Sequence, residues 1–197
     1  MLYLASQSPR RRELLKQLGR SFQVVRSTHR ETIRKGEPPS ANAMRNATGK
    51  ARRAALPSGA CGIIIGADTF LYFRGRVIGK PNTMREAHRL LRALSGKRHW
   101  VYTGLCLLDV ASGRSRASYD KTWVTFKPLT DEAIARLFAR ASPLDKAGGY
   151  AIQEERGELI ARVEGSRSNV IGLPLELLRR ELAAFDREHA GHRASRH

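Results

Sequence analysis

Asp68 closes an isoleucine-rich run, CGIIIGADT, at residues 61–69. Such a run reads as a strand buried on both faces, and an abrupt aspartate at its carboxyl end lies where open α/β sheets place ligands. A carboxylate there can take a proton from water, hold Mg²⁺ or Mn²⁺, or cap the next turn. A second candidate is LASQSPRRRELLKQLG, residues 4–19, which reads as a strand end, a turn and a helix start. Ser8 suits an N-cap and Pro9 a first helical residue. Arg10, Arg11 and Arg12 then crowd a helix terminus that already carries about half a positive charge. Either they point to water at small cost, or an anion belongs there. Free N–H groups, the hydroxyls of Ser6 and Ser8 and guanidinium forks together make a phosphate cradle.

Three further stretches carry polar groups of the same kind. Lys80 in IGKP stands between Gly79 and Pro81, as a point charge for phosphate or an exposed lysine. DKAGGYAIQ, residues 145–153, combines Asp145, Lys146, two glycines and Gln153. Glutamine offers a donor and an acceptor, which suits reading a base edge, although Glu154 and Glu155 beside it equally suit a solvated turn. Lys50 and Glu31 are, by themselves, a helical lysine and a loop acid. No Walker lysine motif, GxGxxG, HExxH, CxxC or Ser-His-Asp set is present. Cationic phosphate binding with carboxylates for a divalent ion points to metal-assisted phosphoanhydride hydrolysis rather than acyl transfer.

The elements that must position these residues alternate irregularly. Strands are expected at 2–5, 22–25, 61–69, 99–109, 115–127 and in ELIARVEG, with a hairpin turning near Gly75. Helices are expected at about 9–18, 41–55, 83–94, after Thr130 and after Pro174. GSRSNVIGLP, residues 165–174, reads as a loop opening the last helix. The pattern implies an α/β domain, a mixed sheet with helices on its faces. Residues 1–187 form one domain in this reading, and 188–197 a basic, irregular tail.

The chain has 197 residues, 41% of them hydrophobic, and no apolar run of membrane-spanning length. Its start lacks the pattern of a signal peptide, so a cytoplasmic protein is expected. Cys61 and Cys106 lie in apolar runs and read as buried, reduced thiols. Residues 1–53 hold 13 of the 36 Lys and Arg but 3 of the 18 Asp and Glu, so +10 of the +18 net charge sits there. Such a field attracts polyanions, nucleotides and nucleic acid among them.

Eight motifs occur in order: LASQSPRRRELL, Glu31 in HRE, Lys50 in GKA, GADT, GKP, YTG, DKAGGYAIQ and GSRSNVIGLP. Together they resemble the Maf family of nucleoside triphosphate pyrophosphatases. The resemblance implies an elongated, twisted mixed sheet with flanking helices and two lobes around a cleft, similar to inosine triphosphate pyrophosphatases, often within a homodimer. It implies hydrolysis of a nucleoside triphosphate to monophosphate and pyrophosphate with a divalent cation, Mg²⁺ or Mn²⁺. On it, Asp68 matches the catalytic aspartate and Glu31 an acid near the metal. Ser6, Ser8, Arg11, Lys50, Lys80 and Lys146 match phosphate- and nucleotide-side positions. Arg10, Thr69 and Gln153 match the three selectors of the dTTP/UTP branch, where a 7-methyl-GTP branch tends to Trp, Gln and Glu. A 7-methyl-GTP pyrophosphatase and a nucleic-acid-binding regulator of cell division are the competing readings.

Overall fold

The computed structural model describes residues 1–153 and 157–194, with only the backbone of 188–194. Among these residues a seven-stranded mixed sheet carries helices on both faces. The strands are β1 (Leu2–Leu4), β2 (Phe22–Val24), β3 (Ile63–Phe73), β4 (Arg76–Ile78), β5 (Arg98–Asp109), β6 (Ser115–Phe126) and β7 (Ile160–Glu164). The helices are α1 (Pro9–Lys16), α2 (Pro39–Arg52), α3 (Met84–Leu94), α4 (Asp131–Arg140), α5 (Arg167–Ile171) and α6 (Leu175–Ala194). The sheet order is β2-β1-β3-β5-β6-β7, with β4 also against β3. β1 runs parallel to β2 and β3, and the remaining pairs are antiparallel.

The long strands β3 and β5 run through two of the apolar cores, and β6 joins the second. One gathers Leu4, Leu15, Ile65, Leu105 and Leu178 under α1 and α6. The other gathers Leu71, Leu91, Val124, Phe126 and Ile134 under α3 and α4. Between the cores β3 changes neighbours along one edge. Its pairing with β1 ends at Leu4↔Ile65, and its pairing with β4 begins at Leu71↔Ile78. Residues 66–70 therefore have no strand partner on that edge among the described residues, and a cleft opens there.

Four expectations need correction. Asp68 does not end a strand: β3 continues to Phe73, because TFLYF is as strand-favouring as the isoleucines before it. The opening beside Asp68 comes from the change of neighbours instead. Cys61 precedes β3 and is exposed, whereas Cys106 is buried. GSRSNVIGLP contains a short helix, α5, whose cap Ser166 accepts from the Asn169 N–H. Helix α6 carries its backbone to Ala194, into the stretch read as a tail. Packing of Leu175, Leu178, Leu182 and Phe185 nucleates that helix, and propagation costs little thereafter. Residues 195–197 lie outside the described residues.

Helix α2 lies unusually close to the sheet. Its Ala43, Ala47 and Ala51 face β3 and β5 at helical spacing, and all three are buried. Opposite them stand Gly66, which pairs with Cys106 across β3 and β5, and Gly104, which pairs with Asp68. A Cβ on Gly66 would stand 2.1 Å from the Ala47 carbonyl oxygen, and one on Gly104 2.1 Å from that of Ala43. Backbone meets backbone, and neither side can yield. Gly104→Ala is expected to cost about 3 kcal/mol or more by overpacking. Gly79→Ala, where a Cβ would meet open space, should cost less than about 0.5 kcal/mol. Urea unfolding of the two variants checks this; equal losses would show that α2 is not seated on backbone contact.

Candidate functional site

Asp68 lies in β3 with its side chain on the α2 face, in the alternation that also turns Ile64 and Phe70 that way. It is 4% exposed. The close seating of α2 brings Lys50 within reach, its Nζ 2.7 Å from Asp68 Oδ1. The same Nζ is 2.6 Å from Glu31 Oε1, on the loop between β2 and α2. Burial alone would raise the Asp68 carboxyl. The charge and hydrogen bond of Lys50, then Arg11 and Asn46, outweigh that and hold it below its ordinary value. Asp68 is therefore an ionised carboxylate whose oxygens retain lone pairs for a further donor.

No group of three or more His, Cys, Asp or Glu side chains suited to a metal occurs among the described residues. The donor set still fits Mg²⁺ or Mn²⁺. Asp68 and Glu31 converge on one cation, here the Lys50 ammonium. Two carboxylates with substrate phosphates completing the shell is the usual way Mg²⁺ is held at nucleotide sites.

Thr69 projects from the opposite face of β3, as the two-residue period demands. There the Arg11 guanidinium binds three places at once: Gly172 O at 2.7 Å, Thr69 Oγ1 at 2.9 Å and Ser6 Oγ at 3.2 Å. Arg11 thus ties α1 to β3 and to the turn after α5, with two of its five N–H groups lacking a protein acceptor among the described residues. The network continues inward. Thr69 Oγ1 lies 3.0 Å from Thr103 Oγ1, which donates to Asn169 O, and Asn169 Nδ2 donates to Thr122 Oγ1. Ser8 caps α1 by accepting from the Arg11 N–H, and Ser6 Oγ accepts from the Ser8 N–H.

Both faces meet in the cleft. A cavity of about 540 Å³ is lined by Ser6, Ser8, Glu31, Lys50, Asp68 and Lys80, among others. Beside it a recess of about 90 Å³ is lined by Arg10, Thr69, Lys146, Tyr150 and Gln153, among others. Arg10 stands at the junction, its Nη1 3.1 Å from Asp145 Oδ2. Burial would raise the Asp145 carboxyl, but hydrogen bonds from Lys146 and Arg10 hold it below its usual range. Lys146 is buried in the wall, donating to Ser142 O and Asp145 Oδ1. Lys80 and Gln153 are exposed, and Arg12 points to solvent. The structure therefore gathers Ser6, Ser8, Arg10, Arg11, Glu31, Lys50, Asp68, Thr69, Lys80, Lys146 and Gln153 along one continuous cleft. Glu154 and Glu155, read as a solvated turn, lie outside the described residues. Asn46, His29, Thr103 and Asn169 were not legible as site residues. The only trace was Asn46 four residues before Lys50, hence on the same helix face.

The loop carrying Lys146 and Gln153 is anchored from below. Gly148 adopts φ +68°, and a Cβ there would stand 2.3 Å from Leu71 Cδ2. Its N–H donates to Gly79 O, joining this loop to the one that carries Lys80. Two residues on, Tyr150 Oη lies 2.8 Å from His99 Nε2 in β5. Phe126 packs edge-on against both rings.

A sequence model of the family described as Maf-like protein matches residues 1–185. Curated relatives agree over most of the chain. A dTTP/UTP pyrophosphatase of Anaeromyxobacter is 46% identical over 186 residues, 91% of this chain and 88% of its own. One of Gloeobacter violaceus is 43% identical over 186 residues, 94% of this chain and 96% of its own. One of Caldicellulosiruptor saccharolyticus is 42% identical over 175 residues, 87% of this chain and 88% of its own.

The buried anchor has a pH signature. Burial drives the His99 imidazole down to about 3, whereas in the unfolded chain it titrates near about 6.5. Between those values the unfolded state binds a proton that the folded state does not, so stability rises with pH. It falls by up to about 1.4 kcal/mol per unit as pH drops through that window. His99→Gln is expected to be less stable than wild type at pH 7. The gap should narrow as pH falls from 6 to 4 in urea titrations; a constant gap would contradict a neutral, buried His99.

Proposed function

The chain belongs to the Maf-like protein family, and we propose that it is a nucleoside triphosphate pyrophosphatase acting on dTTP and UTP. The reaction is NTP plus water giving NMP plus pyrophosphate. The observation that carries this reading is Asp68, an ionised, buried carboxylate at the floor of a cleft whose walls are cationic. It is supported by relatives over 40% identical whose names specify dTTP and UTP.

Asp68 takes a proton from water as the water oxygen attacks the α-phosphorus, and the bond to the α–β bridging oxygen breaks. Pyrophosphate leaves with the bonding electron pair. Lys80, without an ion-pair partner among the described residues, and the Ser8-capped start of α1 face the charge growing on the phosphates. Asp68 and Glu31 would hold a divalent cation, Mg²⁺ or Mn²⁺, which supplies charge neutralisation for the triphosphate when bound. Lys50, paired to both acids, holds them convergent. Arg10, Thr69 and Gln153 line the small recess and select the base. No tryptophan lines it to stack on a cationic methylated base. The reading includes a cytoplasmic enzyme and a homodimer, on the family resemblance. No helix among the described residues is long and apolar enough to cross a membrane.

Pyrophosphate release from dTTP, UTP, CTP, GTP, 7-methyl-GTP and ITP, with Mg²⁺ or Mn²⁺ and with EDTA, tests the proposal. Metal-dependent release chiefly from dTTP and UTP is expected, with a loss of at least about 100-fold in kcat for Asp68→Asn. Preference for 7-methyl-GTP would overturn the base selection. Near-full turnover by Asp68→Asn would overturn the mechanism. Silence on every triphosphate, with salt-sensitive binding of RNA or DNA, would favour a nucleic-acid-binding protein.

A further inference from the structure

The loop from Ser27 to Glu37 has no helix or strand of its own beyond one isolated bridge, Ser27↔Ala54, yet it carries Glu31. What holds it is one face of α2, read at every fourth residue. Asn42, 1% exposed, accepts from the Arg34 N–H at 2.8 Å and donates to Arg34 O at 3.2 Å. Asn46 is fully buried, and its Oδ1 accepts from the Thr32 N–H at 3.0 Å. Lys50 reaches Glu31 itself. Two of these three also reach across to β3: Lys50 holds Asp68 Oδ1, and Asn46 Nδ2 donates to Asp68 Oδ2 at 2.9 Å.

The orientation of the Asn46 amide is fixed by chemistry. Thr32 N–H can only donate, so the carbonyl must face the loop and the NH₂ Asp68. That leaves one lone pair of Oδ1, which His29 Nε2 fills at 3.3 Å. The His29 ring has room to lie there because residue 49 is glycine. A Cβ on Gly49 would stand 2.3–2.6 Å from three ring atoms.

We propose that Asn46 is a positioning residue for hydrolysis, a rigid bracket that sets the Asp68 carboxylate and the Glu31 loop against each other, with His29 as its backstop. One planar amide spans the gap between the two carboxylate-bearing elements. It holds Asp68 by one oxygen, so that the carboxylate plane cannot rotate, and it holds the backbone next to Glu31 by an N–H. A hydrocarbon at residue 46 would fill the space but leave the buried Asp68 Oδ2 and the Thr32 N–H unpaired, with the acid free to turn. The inference rests on the hydrolytic reading of Asp68 above.

Asn46→Leu keeps much of the volume and removes both ends of the bracket. The expected result is a fall of about 10–100-fold in kcat for dTTP, with KM changed less than about threefold, because the bracket touches Asp68 and not the nucleotide. Amide hydrogen exchange should quicken in residues 27–37 and stay unchanged in β3 and β5, which a general loss of stability would not produce. Nucleotide-free Mn²⁺ binding, followed by the electron paramagnetic resonance of the free ion, should weaken as well. Unchanged kcat, or exchange that quickens equally throughout the chain, would overturn the proposal. His29→Phe keeps a ring over Gly49 and removes both ring nitrogens, of which only Nε2 has a hydrogen-bond partner among the described residues. A drop of about threefold in kcat, on the low side of a supporting contact, supports the bracket even where the leucine variant does not fold, and wild-type kcat refutes it. Lack of turnover by the wild type would instead sink the hydrolytic reading, and selective exchange in residues 27–37 would then still establish the bracket.

Discussion

The contact on which the site depends is the meeting of α2 with the sheet, backbone against backbone, at Gly66 and Gly104. Any side chain at either glycine would lift the helix off the strands. The arms that reach Asp68 are short by comparison. The Asn46 amide is planar and only two rotatable bonds from the backbone, and its 2.9 Å hydrogen bond leaves little slack. A helix displaced by the thickness of a methyl group would leave Asp68 buried and half-partnered, which in a low-dielectric setting favours its neutral form. Packing of small residues thus governs the charge state of the central acid.

A second consequence follows from the strand period. Asp68 and Thr69 are neighbours in sequence but face opposite sides of β3, and each is served by a different set of elements. Asp68 belongs with α2 and the Glu31 loop; Thr69 belongs with Arg11, Thr103 and α5. Arg11, which holds Thr69, is the link between the two sets, since its charge also helps to hold the Asp68 carboxyl down. Both faces open onto one cleft because β3 lacks an edge partner between Ile65 and Leu71.

The arginine trio at the start of α1 illustrates how the same charge is spent differently. Arg11 is drawn inward by carbonyl and hydroxyl acceptors, and burial pushes its guanidinium below its ordinary value against the pull of Asp68 and Glu31. Arg10 meets Asp145 across the cleft, and Arg12 stays in water. Much of the remaining positive charge is dispersed in surface pairs such as Arg92–Asp131 and Arg140–Glu158, or lies over aromatic rings, as Arg98 does at 4.1 Å from the Trp123 centroid. Exposed pairs of this kind contribute little stability.

Local patterns in the chain specify most of the element types, the mixed α/β class and many of the polar residues of the cleft. Those signals are local: the apolar run before Asp68, the Ser8-Pro9 helix start, the Thr130 cap and the glycine turns each depend on a few neighbouring residues. The sequence also carried the order of motifs that marks the family. Only the tertiary structure decided that β3 runs on past Asp68, that Arg11 is committed to Thr69 and Gly172, and that Asn46 rather than any residue of a motif holds the second oxygen of Asp68. These are facts about which elements approach and how closely. An asparagine in a helix looks like any solvated polar residue until Gly66 and Gly104 let that helix touch the sheet, because contact distance depends on both partners and is written in neither segment alone.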